Sequence, residues 1–316
     1  GNTMAFLPQG SIPYQQYING DLKALPDYLK TLGYQTIATH PYNAGGWERD
    51  TVYPMLGFNE SVFKDDYVNP QYVRQYISDA ATYDKIIELY ENKGDSPMFV
   101  FDVTMQNHSS YDDTDYTFEN PVKLTSMTLQ PEAEQYLSLI KMSDNALKEL
   151  ITYFEKVKQP VIIVLFGDHQ PHLPDYFYKN VMGEMPDDLS QKDAMKRYQV
   201  PFMIWANYDI QAAEIPQISI NYLSTLMTET AGLKLTDYQK FLLDMYQYIP
   251  SITANGFYDR QGNLYSWDDL DEADAELQEW IKEYRILQYN YLFDEEHRKD
   301  AHYQLKEKMI WGKKET

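Results

Sequence analysis

The chain has 316 residues, 43% of them hydrophobic, no cysteine and a formal net charge of -21. That length and apolar share support one large domain or two modest ones, while the charge argues against nucleic acid and anionic lipid surfaces as partners. The lack of cysteine excludes a disulfide framework, a zinc-thiolate site and a thiol nucleophile.

Taken in chain order, the opening Gly1-Asn2-Thr3-Met4-Ala5-Phe6-Leu7-Pro8 reads as the interior of a domain, which predicts a piece of a longer protein. A helix over 21–32 leads into an apolar strand over 34–40. A helix over 70–92 precedes a second strand over 98–106, and a helix over 132–158 precedes a third over 161–166. That last helix places Tyr136, Leu139, Ile140, Leu147, Leu150, Ile151 and Phe154 on one stripe. A fourth strand covers 201–206. The strands are evenly apolar rather than alternating, as expected of strands covered on both faces.

The alternation predicts an α/β fold: a mostly parallel central sheet flanked by helices. A polar stretch over 168–188 follows the third strand. Helices over 218–232 and 237–248, a hairpin over 257–267 and a helix over 268–293 complete the chain. The expected division is 1–215 as the α/β core and 216–316 as a C-terminal helical and hairpin subdomain.

Ligands of open α/β sheets sit beyond the carboxyl ends of the strands. Three of the six histidines, His40, His108 and His169, fall at or just past predicted strand ends, whereas His297 and His302 read as solvated residues of a charged C-terminal helix. After the third strand, Phe166-Gly167-Asp168-His169 offers a carboxylate and an imidazole, good ligands for an Mn-, Zn- or Mg-type ion. The plain alternative is a hydrogen-bonded Asp-His pair in a loop. His172 and Asp175 read as outer or surface groups.

After the second strand, Gln106-Asn107-His108 offers an imidazole that could exchange a proton with an ester oxygen. Ser109 and Ser110 lack the glycine pattern of a nucleophile elbow. After the first strand, His40-Pro41-Tyr42 and Gly45-Gly46-Trp47-Glu48-Arg49 offer a guanidinium fork for phosphate or sulfate and an indole for a polyol or sugar face. Gly45-Gly46 would allow close approach of backbone to ligand. The alternative there is a helix start with solvated charges around a half-buried Trp47.

In order and spacing, these stretches resemble the catalytic domain of lipoteichoic acid synthase-like proteins, within the sulfatase and alkaline-phosphatase-like superfamily. The resemblance also rests on Asn2–Pro8, Ser11-Ile12-Pro13-Tyr14, Gln170-Pro171, Pro201-Phe202-Met203-Ile204-Trp205-Ala206 and Asn255-Gly256-Phe257-Tyr258-Asp259. It implies a metal-dependent transfer of phosphoglycerol from a lipid donor to an anionic wall polymer, on the extracellular face of a bacterial membrane. Asp168 and His169 would be metal ligands, with Mn foremost and Mg, Zn or Ca as alternatives. His40, Trp47, Arg49 and His108 would contact the phosphoglycerol group, His108 moving the proton.

The family's Thr nucleophile and a Glu ligand belong upstream of the stretch matched by Asn2–Pro8. The resemblance therefore implies that both lie outside this chain, that the first part of the sheet is missing, and that the chain alone is inactive. Membrane anchoring would come only from an absent N-terminal segment. Alternatives from other classes are a sulfatase or phosphodiesterase using the same site for hydrolysis, and a non-catalytic binder of anionic wall polymer.

Overall fold

In the computed structural model, which describes residues 6–8, 10–126, 130–300 and 303, the chain divides into two units that interleave along the sequence. One comprises Ile37–Asp50 and Glu60–Gln211; the other comprises Gly1–Thr36, Thr51–Asn59 and Ala212–Thr316. A single cut near residue 215 thus coincides with only the last boundary. The reason lies in burial: Leu7, Ile18, Leu22 and Val52 sit in the same apolar cluster as Tyr222, Leu242, Ile281 and Tyr284. The predicted matches at residues 2–5, Thr3 included, and His302 lie outside the described residues.

The first unit carries the α/β architecture. Strands β1 (Gln35–His40), β2 (Glu60–Phe63) and β5 (Met98–Asp102) form a sheet of order β2-β1-β5, with β1 and β2 parallel and Ile37 opposite Glu60. Between β2 and β5 lie a small antiparallel hairpin, β3 (Tyr72–Val73) and β4 (Tyr76–Ile77), and the helix Asp79–Asn92. Ser78 caps that helix by accepting from the Ala81 amide.

The helix Pro131–Phe154 starts with a proline at its first turn, where the missing N–H costs nothing. Its Ala146, Leu150 and Phe154 pack with Tyr83, Ile86 and Ile87 of the helix Asp79–Asn92. Of the predicted stripe, Ile140 is instead exposed.

Three expectations are corrected here. The predicted helix over 70–92 begins only at Asp79, because aromatic and β-branched Tyr72-Val73 and Tyr76-Ile77 flank two polar residues and form the hairpin. The stretch over 168–188, expected as a polar loop, contains the helix Asp175–Met182, closed by Gly183 at φ +90°. Strands β6 (Ile162–Phe166) and β7 (Phe202–Ala206) do not extend the parallel sheet; they pair antiparallel as a separate two-stranded sheet, Val164 opposite Ile204. These outer strands are only half-covered, and Leu165 and Phe166 are exposed.

The second unit buries a largely aromatic and aliphatic core. Helices Ile220–Thr230, Asp237–Tyr246 and Ala275–Leu292 supply most of it, with the antiparallel strands β8 (Ser251–Thr253), β9 (Gly256–Tyr258) and β10 (Leu264–Tyr265). Thr236 and Gln239 form a reciprocal capping box at the start of Asp237–Tyr246. Gly256 takes φ +143°, and a Cβ there would sit 2.1 Å from the Tyr265 carbonyl oxygen, so the hairpin admits only glycine. His297 lies past the last helix in a turn, exposed and 2.9 Å from Asp294, rather than in the expected C-terminal helix.

Candidate functional site

His40 ends β1 with its side chain wholly buried. Its Nδ1 is 2.8 Å from the Val103 carbonyl, which can only accept, so Nδ1 carries the proton. Burial pushes the imidazole down to about 4, helped by the positive fields of Arg49 and His108 and opposed by the Val103 bond. At neutral pH the ring is therefore uncharged and Nε2 holds a lone pair. That atom is buried without a hydrogen-bond partner.

Beyond β1 the chain folds a tight aromatic corner. A Cβ on Gly46 would lie 3.1 Å from the Tyr42 ring, so this glycine serves Tyr42 packing rather than the expected approach to a ligand. Trp47 and Glu48 both take left-handed backbone angles, φ +55° and +58°, a conformation side chains disfavour. Such strain persists only where surrounding contacts impose it. Those contacts are visible: the Trp47 ring meets His40 at 5.8 Å, His108 at 6.1 Å and Tyr42 at 6.2 Å between centroids. Arg49 opens the helix Arg49–Met55 and holds its guanidinium 5.2 Å over the Trp47 ring.

His108 sits exposed on the loop that follows β5, which ends at Asp102, earlier than the sequence pattern suggests. The base of that loop is anchored by buried Gln106. Its Oε1 accepts from the Asp79 amide at 3.1 Å, and its Nε2 donates to Ser143 Oγ at 3.2 Å. Ser143 also accepts from Asn107 at 2.8 Å and donates to the Asp79 carboxyl at 2.5 Å. A buried acid, Asp79, and a half-buried one, Asp102, lie nearby. Burial pushes Asp79 up to about 6 and Asp102, the Thr39 hydroxyl's acceptor, up to about 7.

His40, Trp47, Arg49 and His108 are thus brought together as one cluster. Tyr42, Tyr76 and Arg74 belong beside them and were missed. Tyr76 meets His108 at 5.9 Å and Tyr42 at 6.3 Å. The signal for Arg74 and Tyr76 was the short aromatic and β-branched pairs around Arg74-Gln75, which helical periodicity masks.

Asp168 and His169 follow β6 with side chains 74% exposed each. His169 Nδ1–H donates to the Gln170 carbonyl at 2.8 Å, which puts the lone pair on Nε2 as a metal-ligating tautomer requires; Nε2 lies 3.4 Å from Asp168 Oδ2. Gly167 is required by packing, since a Cβ would lie 2.9 Å from that of Val200. Burial raises the Tyr111 and Tyr136 hydroxyls, with the Asp168 charge a minor addition, and Tyr111 donates to the Asn107 carbonyl of the His108 loop. His172 and Asp175 are exposed.

The donor types suit a divalent ion. Their number does not: among the described residues no three His, Asp or Glu side chains gather to hold one. Two donors are half of a tetrahedral shell and less of an octahedral one.

Among the described residues no helix is long and apolar enough to cross a membrane. The chain matches the family Sulfatase over residues 3–233. It is 30% identical over 304 residues, 93% of its length, to a Rhizobium meliloti (strain 1021) protein named for cyclic beta-1,2-glucan modification, of which it covers 46%. It is 30% identical over 154 residues, 48% of its length, to the capsular polysaccharide biosynthesis protein RkpI of the same organism, covering 27% of that protein. The chain thus spans less than half the length of these curated relatives.

Among solved structures it resembles the phosphoglycerol transferase GacH of Streptococcus pyogenes in complex with sn-glycerol-1-phosphate. The TM-score is 0.67 at 22% identity, covering 89% of this chain and 67% of that one. It also resembles the lipoteichoic acid synthase LtaP of Listeria monocytogenes, with TM-score 0.55 at 15% identity, covering 88% and 74%. By sequence the chain belongs to the sulfatase family, and it shares its fold with these two solved structures.

Proposed function

We propose that this chain forms the phosphoglycerol pocket of a metal-dependent transferase acting on cell-envelope polymers, outside the bacterial membrane. The observation that carries the reading is the cluster itself. A neutral, buried acceptor at His40 Nε2, an indole face, a guanidinium and an exposed imidazole lie within a few ring diameters.

A small polyol phosphate uses all four. Arg49 takes the phosphate oxygens through its fork. His40 Nε2 accepts a proton-bearing glycerol hydroxyl, filling an atom that is otherwise buried and unsatisfied. Trp47 packs on the carbon skeleton, and His108 exchanges a proton with the ester oxygen. The solved relative bound to sn-glycerol-1-phosphate supports this choice of ligand.

Asp168 and His169 are proposed to supply part of the shell of a divalent ion, Mn foremost. The remaining donors and a Thr nucleophile are supplied from outside these 316 residues. A phosphoglycerol-bearing lipid is the donor and an anionic wall polymer the acceptor. Hydrolysis of sulfate or phosphate esters is the second reading, because the same pocket admits water as acceptor.

The test is calorimetric titration of the chain with sn-glycerol-1-phosphate, beside Arg49→Ala and His40→Asn. Binding by the parent that weakens at least about tenfold in each variant is expected, the loss of one good polar contact to a charged group. Absence of binding, or variants that bind like the parent, overturns the pocket. Turnover of a phosphoglycerol ester by the chain alone overturns the external nucleophile.

A further inference from the structure

We propose that Arg74 is the positioning residue of His108, setting the loop geometry that presents the imidazole to ligand. The inference rests on the reading of His108 as the proton-moving group, and it stands on the contacts that Arg74 makes to this loop. Arg74 occupies the two-residue turn between β3 and β4 with φ +55°. A left-handed arginine is a strained choice and needs compensation.

That compensation is the His108 loop. Arg74 Nη2 donates to the carbonyls of Gln106 and His108, each at 2.8 Å, and Nη1 donates to the carbonyl of Ser110. One guanidinium thus gathers three alternate carbonyls of a segment that has no helix or strand of its own. The planar fork is what makes this geometry available; an ammonium carries a point charge without the fork. The rings of Tyr76 and Tyr111 lie 5.6 and 5.8 Å from the guanidinium carbon and fix its plane.

The consequence for His108 runs through Ser109, between two of the clamped carbonyls. The Ser109 carbonyl lies 3.0 Å from His108 Nδ1 and also accepts from the Tyr76 hydroxyl at 3.2 Å; that hydroxyl oxygen, its one proton so engaged, lies 3.4 Å from Nδ1 as a second acceptor. A carbonyl only accepts, so it selects the tautomer with the proton on Nδ1. The lone pair is left on Nε2, the nitrogen that faces no protein partner within the hydrogen bonds of this loop. Arg74 therefore acts on the reaction without touching the ligand: it holds the backbone on either side of the Ser109 carbonyl that sets the tautomer.

The experiment compares the full chain with Arg74→Ala and Arg74→Lys. Circular dichroism checks the fold, and long-range proton–nitrogen correlation of the histidine side chains reads the His108 tautomer. The parent should show His108 as one tautomer with widely separated nitrogen shifts. Both variants should keep the fold yet show the averaged shifts of an unrestrained imidazole, with ethylguanidinium restoring the separation in Arg74→Ala. Affinity for sn-glycerol-1-phosphate should fall by about tenfold alongside.

Folded variants that retain the parental His108 pattern overturn the proposal. So does loss of the fold in both, because Arg74 would then serve the fold and not the loop. A tautomer change in a parent that binds no phosphoglycerol would leave the positioning role intact and remove the functional reading instead.

Discussion

Two candidate chemical centres in the α/β unit both follow strand ends, and they differ in almost every physical respect. The His40–Trp47–His108 cluster is braced: a buried imidazole, two strained backbone residues and a loop tied down from Gln106 to Ser110. The Asp168–His169 pair is open, with side chains three-quarters exposed and few bonds outside its own turn. Preorganisation of this kind lowers the cost of binding, which is why the proposed ligand is assigned to the cluster. The pair has suitable donor types, but among the described residues no third His, Asp or Glu joins them. On the proposed reading, recognition is the work of the cluster, and the pair is only part of a metal shell.

The largest test of that contrast is pH. His40 is lowered in the folded state from 6.5 to about 4, so the unfolded chain binds the extra proton between those values. Stability from this residue is full above pH 6.5 and is lost as pH falls towards 4, by roughly 3 kcal/mol in all. Asp79 and Asp102 are raised by desolvation, so their contribution runs the other way: present at low pH and lost as pH rises through about 6 and 7. Urea unfolding of His40→Asn should thus show the variant gaining on the parent as pH drops from 7 to 4. Asp102→Asn should lose ground over the same range. Parallel slopes for both variants and the parent would mean the cluster's interior is hydrated, and the contrast with the exposed pair would disappear.

Next in size is Trp47→Ala. The indole is half-buried but touches His40, Tyr42, His108 and Arg49, so its removal should cost about 2 kcal/mol, below the value for a fully buried ring. It should also abolish the ring contacts that force residues 47 and 48 into left-handed angles. Binding of sn-glycerol-1-phosphate should weaken more than stability does. A variant that binds normally would show that Trp47 is packing alone.

Gly167→Ala should cost about 1–2 kcal/mol, since the new Cβ must push Val200 away at 2.9 Å. Its sharper readout is at the neighbouring Asp168–His169, whose amide shifts should move while those of His108 stay fixed. Movement at both would show that the two centres are mechanically coupled.

Much of this contrast was legible in the sequence, and the rest was lost for identifiable reasons. The apolar strands ending at His40 and before Gly167 announced themselves, as did the helix Pro131–Phe154 between them, because long periodic segments carry strong patterns. The hairpin at Tyr72–Ile77 did not, since two-residue strands leave no period and the following helix overran them. Arg74 was invisible with it: its partners are backbone carbonyls some 32 to 36 residues away, which no spacing rule reports. The antiparallel turn of β7 against β6 was also hidden, because an even apolar run carries no direction. The residue types at the cluster were readable; the burial of His40, which sets its charge state, was not.

The smallest effect is expected at the pair itself. Asp168→Asn and His169→Gln should change stability by less than about 0.5 kcal/mol, as substitutions of exposed side chains do. Millimolar Mn should raise the midpoint of thermal unfolding of the parent by no more than about 1 °C, because an ion at a concentration near its dissociation constant contributes only about RT ln 2. The variants should erase even that. A rise of several degrees in the parent, lost in both variants, would mean that two donors suffice for tight binding. The distinction between a completed pocket and an unfinished metal shell would then be wrong at its weaker end, while the cluster's ligand binding, measured with and without the ion, would still report the stronger end independently.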